Sequence, residues 1–181
     1  MKAKTLSIRE LCQISIFTAI ITVCAQIVIP MPYGVPMTLQ TFAIPLAGVV
    51  LGIKNGTIAT LIYVLLGLIG VPVFAGFTGG AGIVFGPTGG FILAFPFMTL
   101  TAGIGTKKNS YPWLIMWLVI GATILYTSGM LVFSLVTSNS LLASFTFVVI
   151  PFIPTEIVKI IMVVILGKLI RQALSKSGLL I

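Results

Sequence analysis

Histidine and aspartate are absent from this 181-residue chain, and its only acidic residues are Glu10 and Glu156. Metal centres and most general acid/base catalysis draw on those residue types, so the sequence argues against an enzyme. Charge of either sign is scarce: 7% of residues are Asp, Glu, Lys or Arg, against roughly a quarter in an ordinary soluble domain. No G-x-x-x-x-G-K-[ST] segment is present to cradle a nucleotide. No internal repeat of the kind that secondary transporters use for alternating access is recognisable either. The two cysteines, Cys12 and Cys24, fall on one expected helix about 18 Å apart by helical rise, beyond the reach of a disulfide.

What is there is apolar, with 59% hydrophobic residues. Apolar stretches cover 14–29, 39–53, 57–73, 91–104, 113–136 and 153–170. If each crossing takes about 20 residues, six use about 120 and leave about 60 for loops and tails, too few for a soluble domain. The expectation is an all-α integral membrane protein: a six-transmembrane-helix bundle in a single domain, 1–181, with glycine-rich outer loops. The second and fourth stretches are short, and are expected to be tilted, extended into glycine-rich flanks or shielded by neighbours. The first lacks a small-residue cleavage site and is kept as a helix of the mature chain.

The net charge of +8 would suggest nucleic acid in a soluble protein, but its placement points elsewhere. Lys2, Lys4 and Arg9 precede the first helix, Lys54 separates the second and third, Lys107 and Lys108 the fourth and fifth, and Lys168, Arg171 and Lys176 close the chain. Six crossings with both termini inside put all of these in the cytoplasm, as the positive-inside rule requires. The segments 30–38, 72–90 and 137–152 are uncharged and then face outward. On this basis 1–13 is a cytoplasmic N-terminal segment, 71–90 a glycine-rich outer loop and 172–181 a cytoplasmic tail. Glu10 has the S-x-x-E spacing from Ser7 of a capping box and needs no chemistry. Tyr111, Trp113 and Trp117 suit interfacial anchoring.

Glu156 and Lys159 are left over. Three apart on the last helix, they share a face. With Pro154 in its opening turn, they lie about one turn apart in the outer half of the membrane. Ionisable groups at such depth are costly and usually face the bundle interior or a wet cavity. The plain alternative is a mutually satisfied pair, although a buried pair is weak evidence for stability. The run 70–82 (GVPVFAGFTGGAG), followed by GPTGG at 86–90, is uncharged and glycine-dense, so it can fold back as a lid and present backbone groups; turns and tight helix contacts are the simpler use. Thr38 and Gln40 are the polar side chains of an otherwise apolar entry segment, suited to a cavity or to capping. Ser15 with Ala19 and Thr18 with Thr22 form small-xxx-small pairs that permit close helix contact, within the bundle or with another membrane protein.

Taken in order, PMTLQ at 36–40, GLIGVPVFAGFTGGAG at 67–82, GPTGGF at 86–91 and PFIPTEIVK at 151–159 resemble the BioY family, the biotin-specific substrate-binding subunits of energy-coupling-factor (ECF) transporters. The resemblance covers most of the chain. It implies a multi-pass S component of a prokaryotic cell membrane that captures biotin from outside, without a cofactor of its own. It further implies partnership with a transmembrane coupling protein and two cytoplasmic ATPases that power import. Phe91 stands where tyrosine is common in the family, and Glu156 where aspartate is. Biotin's ureido group offers two N–H donors and one acceptor, which Glu156 and Lys159 complement; in a second pose Lys159 pairs with biotin's carboxylate. Phe74, Phe77 and Phe91 are the expected apolar walls, with Thr38, Gln40 and Thr88 adding hydrogen bonds, and Ala75, Gly76, Gly79, Gly80 and Gly89 contributing from the glycine-rich loop. Ser15, Ala19 and Thr22 are the expected face toward the coupling protein. The alternative is a stand-alone facilitator or channel, which would equilibrate a small solute without ATPase partners.

Overall fold

The first helix starts where its capping box sets it. In the computed structural model, which describes residues 6–178, Ser7 Oγ accepts from Glu10 N at 3.2 Å and Glu10 Oε2 accepts from Ser7 N at 2.8 Å. Helix α1 (Ile8–Ala25) therefore begins ahead of its apolar stretch, and the end of the expected 1–13 segment is helical; Lys2 and Lys4 lie outside the described residues. A two-residue ribbon, β1 (Val28–Ile29) with β2 (Met37–Thr38), closes antiparallel around a 3-10 turn at Pro32–Gly34.

Helix α2 (Gln40–Leu68) is not one straight rod. Gly52 has φ +79°, a left-handed conformation that side chains disfavour, and the chain doubles back there. A Cβ built on Gly56 would lie 2.9 Å from the Cα of Gly48, whereas eight residues of straight helix span about 12 Å. The expected second and third helices are thus two limbs, 40–51 and 53–68, joined at a single glycine. Arg171 Nη1 donates to the carbonyls of Val49 at 2.9 Å and Val50 at 3.4 Å. It thereby serves acceptors that the end of the first limb leaves free.

Beyond α2 come α3 (Ala81–Val84), α4 (Gly89–Gly105), α5 (Tyr111–Thr137), α6 (Leu141–Val148), a 3-10 turn at Ile150–Phe152 and α7 (Ile153–Lys176). Three boundaries depart from expectation. The 71–90 loop contains α3 and yields its last two residues to α4, because the small Gly89 is buried tightly against the Val84 backbone. The 137–152 segment, expected as a loop, holds α6, started by Ser140 Oγ accepting from Ala143 N at 3.2 Å. The tail is helical as far as Lys176, and residues 179–181 lie outside the described residues.

The core forms where α2 packs on α4, α4 on α5, α1 on α2 and α2 on α7. Ile21, Ile44, Tyr63, Met98, Leu118 and Leu125 are fully buried there. At its centre the hydroxyls of Thr60 and Thr99 meet at 2.8 Å, so neither polar group is buried alone. Leu65, Phe97, Leu135 and Leu169 are exposed, as they would not be in quantity on a soluble surface. Four apolar helical stretches, Ile8–Ala25, Gln40–Leu68, Tyr111–Thr137 and Leu141–Lys176, are long and apolar enough to cross a membrane by length and composition.

The basic residues gather at one end. Lys54 Nζ lies 3.8 Å from Glu10 Oε1, the single ion pair among the described residues. Arg9 Nη1 donates to Gly178 O at 2.7 Å, and the ammonium groups of Lys168 and Lys108 lie 3.3 and 4.0 Å from the ring centroids of Tyr111 and Trp113. The ribbon, the glycine-rich loop and α6 occupy the opposite, uncharged end. There the Tyr33 and Phe147 rings stack at 3.8 Å.

Candidate functional site

At the uncharged end, the ribbon, the start of α2, the glycine-rich loop, α4, α5 and α7 enclose a cavity of about 290 Å³. That is near the lower bound of roughly 300 Å³ for small-molecule pockets. The helix periodicity of α7 puts Lys159 on its inner face, 6% exposed. Its Nζ donates to Thr38 O and to Thr41 Oγ1, both at 2.8 Å. An ammonium has three N–H donors, so two are committed to the protein and one is left toward the cavity that Lys159 lines.

Glu156 is buried one turn earlier but turns away from this cavity. Its Oε2 accepts from the Tyr126 hydroxyl at 3.1 Å. Its Oε1 has no hydrogen-bond partner among the described residues, with the Thr41 hydroxyl nearby. The carboxylate lines a second cavity of about 370 Å³, walled by apolar residues of α5, α6 and α7 such as Val119, Met130 and Phe145. Tyr126 lines both cavities and forms the partition between them. The plain alternative, a mutually satisfied Glu156–Lys159 pair, is not what the structure shows: Glu156 takes its hydrogen bond from Tyr126, and Lys159 donates to Thr38 O and Thr41 Oγ1.

The apolar walls depend on glycines across from them. A Cβ at Gly129 would overlap the Phe91 ring, and one at Gly67 the Phe74 ring. With side chains removed there, Phe91 packs edge-on to Tyr126 at 6.2 Å and Phe74 edge-on to Tyr63 at 5.6 Å, within the range favoured by aromatic pairs. Both phenylalanines face the cavity.

A buried polar relay ties the floor to the loop. Thr38 Oγ1 donates to Gln40 Oε1 at 2.8 Å, Gln40 Nε2 donates to the Tyr63 hydroxyl at 2.5 Å, and that hydroxyl donates to Val73 O at 3.1 Å. Thr38 and Gln40 therefore line the cavity and also hold its frame.

Of the residues singled out in the sequence, Lys159, Thr38, Gln40, Phe74, Ala75, Thr88 and Phe91 line the cavity. Glu156 lies behind its wall. Phe77 is 72% exposed, and Gly76 (φ +67°) precedes it at the loop tip. Gly79 sits against the Val71 backbone, Gly80 N donates to Gly67 O at 2.6 Å, and Gly89 opens α4; these glycines shape the loop from outside the cavity. Ser15 and Ala19 are exposed on α1, and Thr22 is half-buried. Thr41, Thr78, Phe95, Tyr126 and Phe152, which the sequence does not single out, also line the cavity. For Tyr126 a signal existed: a hydrogen-bonding ring deep inside an apolar 27-residue helix.

A family model described as the BioY family matches residues 1–176. A Pyrococcus horikoshii protein described as a probable biotin transporter BioY is 41% identical over 169 residues, covering 93% of this chain and 96% of that protein. The biotin transporter BioY of Thermotoga maritima is 36% identical over 165 residues, 91% of this chain and 96% of that protein. A solved crystal structure, the S-component for biotin from an ECF-type ABC transporter, superposes with a TM-score of 0.84 at 30% identity, over 93% of this chain and 95% of that one.

Proposed function

The chain belongs to the BioY family, and from that premise we propose that it is the biotin-capture subunit, the S component, of an ECF importer. Biotin enters the 290 Å³ cavity from outside the cell. A transmembrane coupling protein and two cytoplasmic ATPases supply the energy for its release inward, since the chain carries no phosphate-binding loop of its own. The two limbs of α2 together with α1, α4, α5 and α7 make six passages through the bilayer. Both termini are then cytoplasmic, which places the basic end inside and the cavity toward the outer face.

The observation that carries this proposal is Lys159: one buried ammonium with a donor to spare, set in a largely apolar, aromatic-walled cavity. A vitamin that combines apolar rings and chain with a ureido carbonyl and a carboxylate supplies what that cavity lacks. Lys159 donates to one of those oxygens, and the Phe74 and Phe91 rings flank the bicyclic body. Glu156 acts from behind the wall, as the counter-charge to Lys159 and the acceptor that orients the Tyr126 hydroxyl. Ser15 and Ala19, exposed on α1, remain the proposed contact with the coupling protein.

Isothermal titration of the detergent-purified chain tests the capture step. Saturable one-to-one binding of biotin, with thiamine and riboflavin inert, is the expected result. A folded preparation that ignores biotin would overturn it. Solute equilibration by the chain alone in liposomes would favour a facilitator instead.

A further inference from the structure

The segment 73–78 closes one side of the cavity through Phe74, Ala75 and Thr78. It is a tight hairpin, with Phe74 N donating to Thr78 O at 2.9 Å and Thr78 Oγ1 to Ala75 O at 3.0 Å. At its tip Gly76 and Phe77 have φ of +67° and +55°; the second is uncommon for a side chain other than glycine, asparagine or aspartate. Such a hairpin needs an outside hold to keep one position. Tyr63 supplies one hydrogen bond, to Val73 O. Gln26 supplies three. Its Nε2 donates to Val73 O at 3.3 Å and to Phe74 O at 3.1 Å, while its Oε1 accepts from Phe77 N at 2.8 Å.

Gln26 sits at the C-terminal cap of α1, and its Nε2 also lies 3.1 Å from Thr22 O, so that its two N–H groups serve three carbonyls and one of them is shared. Its amide is therefore oriented by the helix it ends, and reaches donors and acceptors on both arms of the hairpin. An amide is the side-chain group that can donate to two carbonyls and accept from an N–H at once. It does not line the cavity.

We propose that Gln26 is a positioning residue: it latches the 73–78 hairpin over the cavity and thereby sets how fast a bound molecule leaves. The proposal rests on biotin capture for its kinetic readout, but the latch itself is visible without ligand. Gln26→Ala deletes the three hydrogen bonds. Gln26→Glu keeps the shape and an acceptor for Phe77 N, but turns a carboxylate toward the carbonyls of Val73 and Phe74.

Biotin association and dissociation are measured on both variants by rapid mixing, beside amide exchange of Phe74 and Phe77 in the ligand-free chain. The expected result is dissociation and amide exchange each faster by about tenfold or more, association unchanged or faster, and Kd rising by no more than the dissociation rate does. A role in folding alone would lower Tm and leave the dissociation rate at the wild-type value; that outcome overturns the proposal. If Gln26→Ala does not fold, Gln26→Glu carries the test. If the wild type binds no biotin, the capture proposal fails, while unchanged exchange at Phe74 and Phe77 in a variant would by itself refute the latch.

Discussion

The two ends of the bundle use cations in opposite ways. At the basic end five of the positive groups among the described residues are held by the protein: Lys54 on Glu10, Arg9 and Arg171 on backbone carbonyls, Lys108 and Lys168 on aromatic faces. These contacts are on or near the surface, where any one of them is worth little. At the other end there is one cation, Lys159, buried and surrounded by an apolar cavity. Surface cations held by neighbouring groups suit the anchored, oriented end of the proposed topology, whereas a buried cation with a donor to spare suits the proposed capture site. Burial and remaining hydrogen-bond capacity favour that end, where charge density would point away from it.

That contrast is easiest to break at Lys159. Lys159→Ala is expected to lower biotin affinity by about 100-fold, the upper range for a hydrogen bond to a charged group, read by titration calorimetry. The same change strips the buried Glu156 of a nearby positive charge, and leaving a buried charge uncompensated costs up to about 3–5 kcal/mol of stability. Lys159→Gln keeps donors and should fall between the variant and wild type, separating contact from collapse. Unaltered affinity in a folded Lys159→Ala chain would move the site elsewhere.

Gly129→Ala is a smaller perturbation of the same end. The added methyl displaces the Phe91 ring, and overpacking of this kind costs about 1–3 kcal/mol. Affinity should drop by about tenfold, and Gly129→Ala combined with Phe91→Leu should recover part of it; a single variant with wild-type affinity would show that Phe91 is not a wall. The smallest effect belongs to the basic end. Lys108→Gln removes a cation from an aromatic face far from the cavity and should change biotin affinity by less than about twofold. A larger loss would erase the distinction between the ends.

Composition and charge placement made the helical membrane character legible, and motif order pointed to the lysine, threonine, glutamine and phenylalanine side chains that do line the cavity. The capping box was readable because it is local: Ser7 and Glu10 are three residues apart. Long-range arrangements were not. Glu156 and Lys159 share a helix face by spacing, but whether they touch is decided by Thr41 and Tyr126, which arrive from α2 and α5. The fold-back of α2 was expected around Lys54, whereas it turns on Gly52, because one positive φ suffices where a loop was assumed. Helix α6 was hidden because the uncharged segment 137–152 was read as a connection, and Ser140 was not recognised as a cap. Gln26 gave no signal, since its partners are backbone atoms of a distant loop and leave no side-chain pattern.

The chain's two tryptophans, Trp113 and Trp117, lie edge to face at 5.8 Å in the first turns of α5, beside Lys108. Tyr126, on the cavity wall, is nine residues further along that helix, about 13 Å by helical rise. In optical terms, the indole emission belongs to the basic end. A molecule that occupied the cavity would leave those surroundings unchanged, whereas a protein or lipid that arrived next to Lys108 would alter them. The native fluorescence is therefore expected to be dark to a ligand and bright to a neighbour.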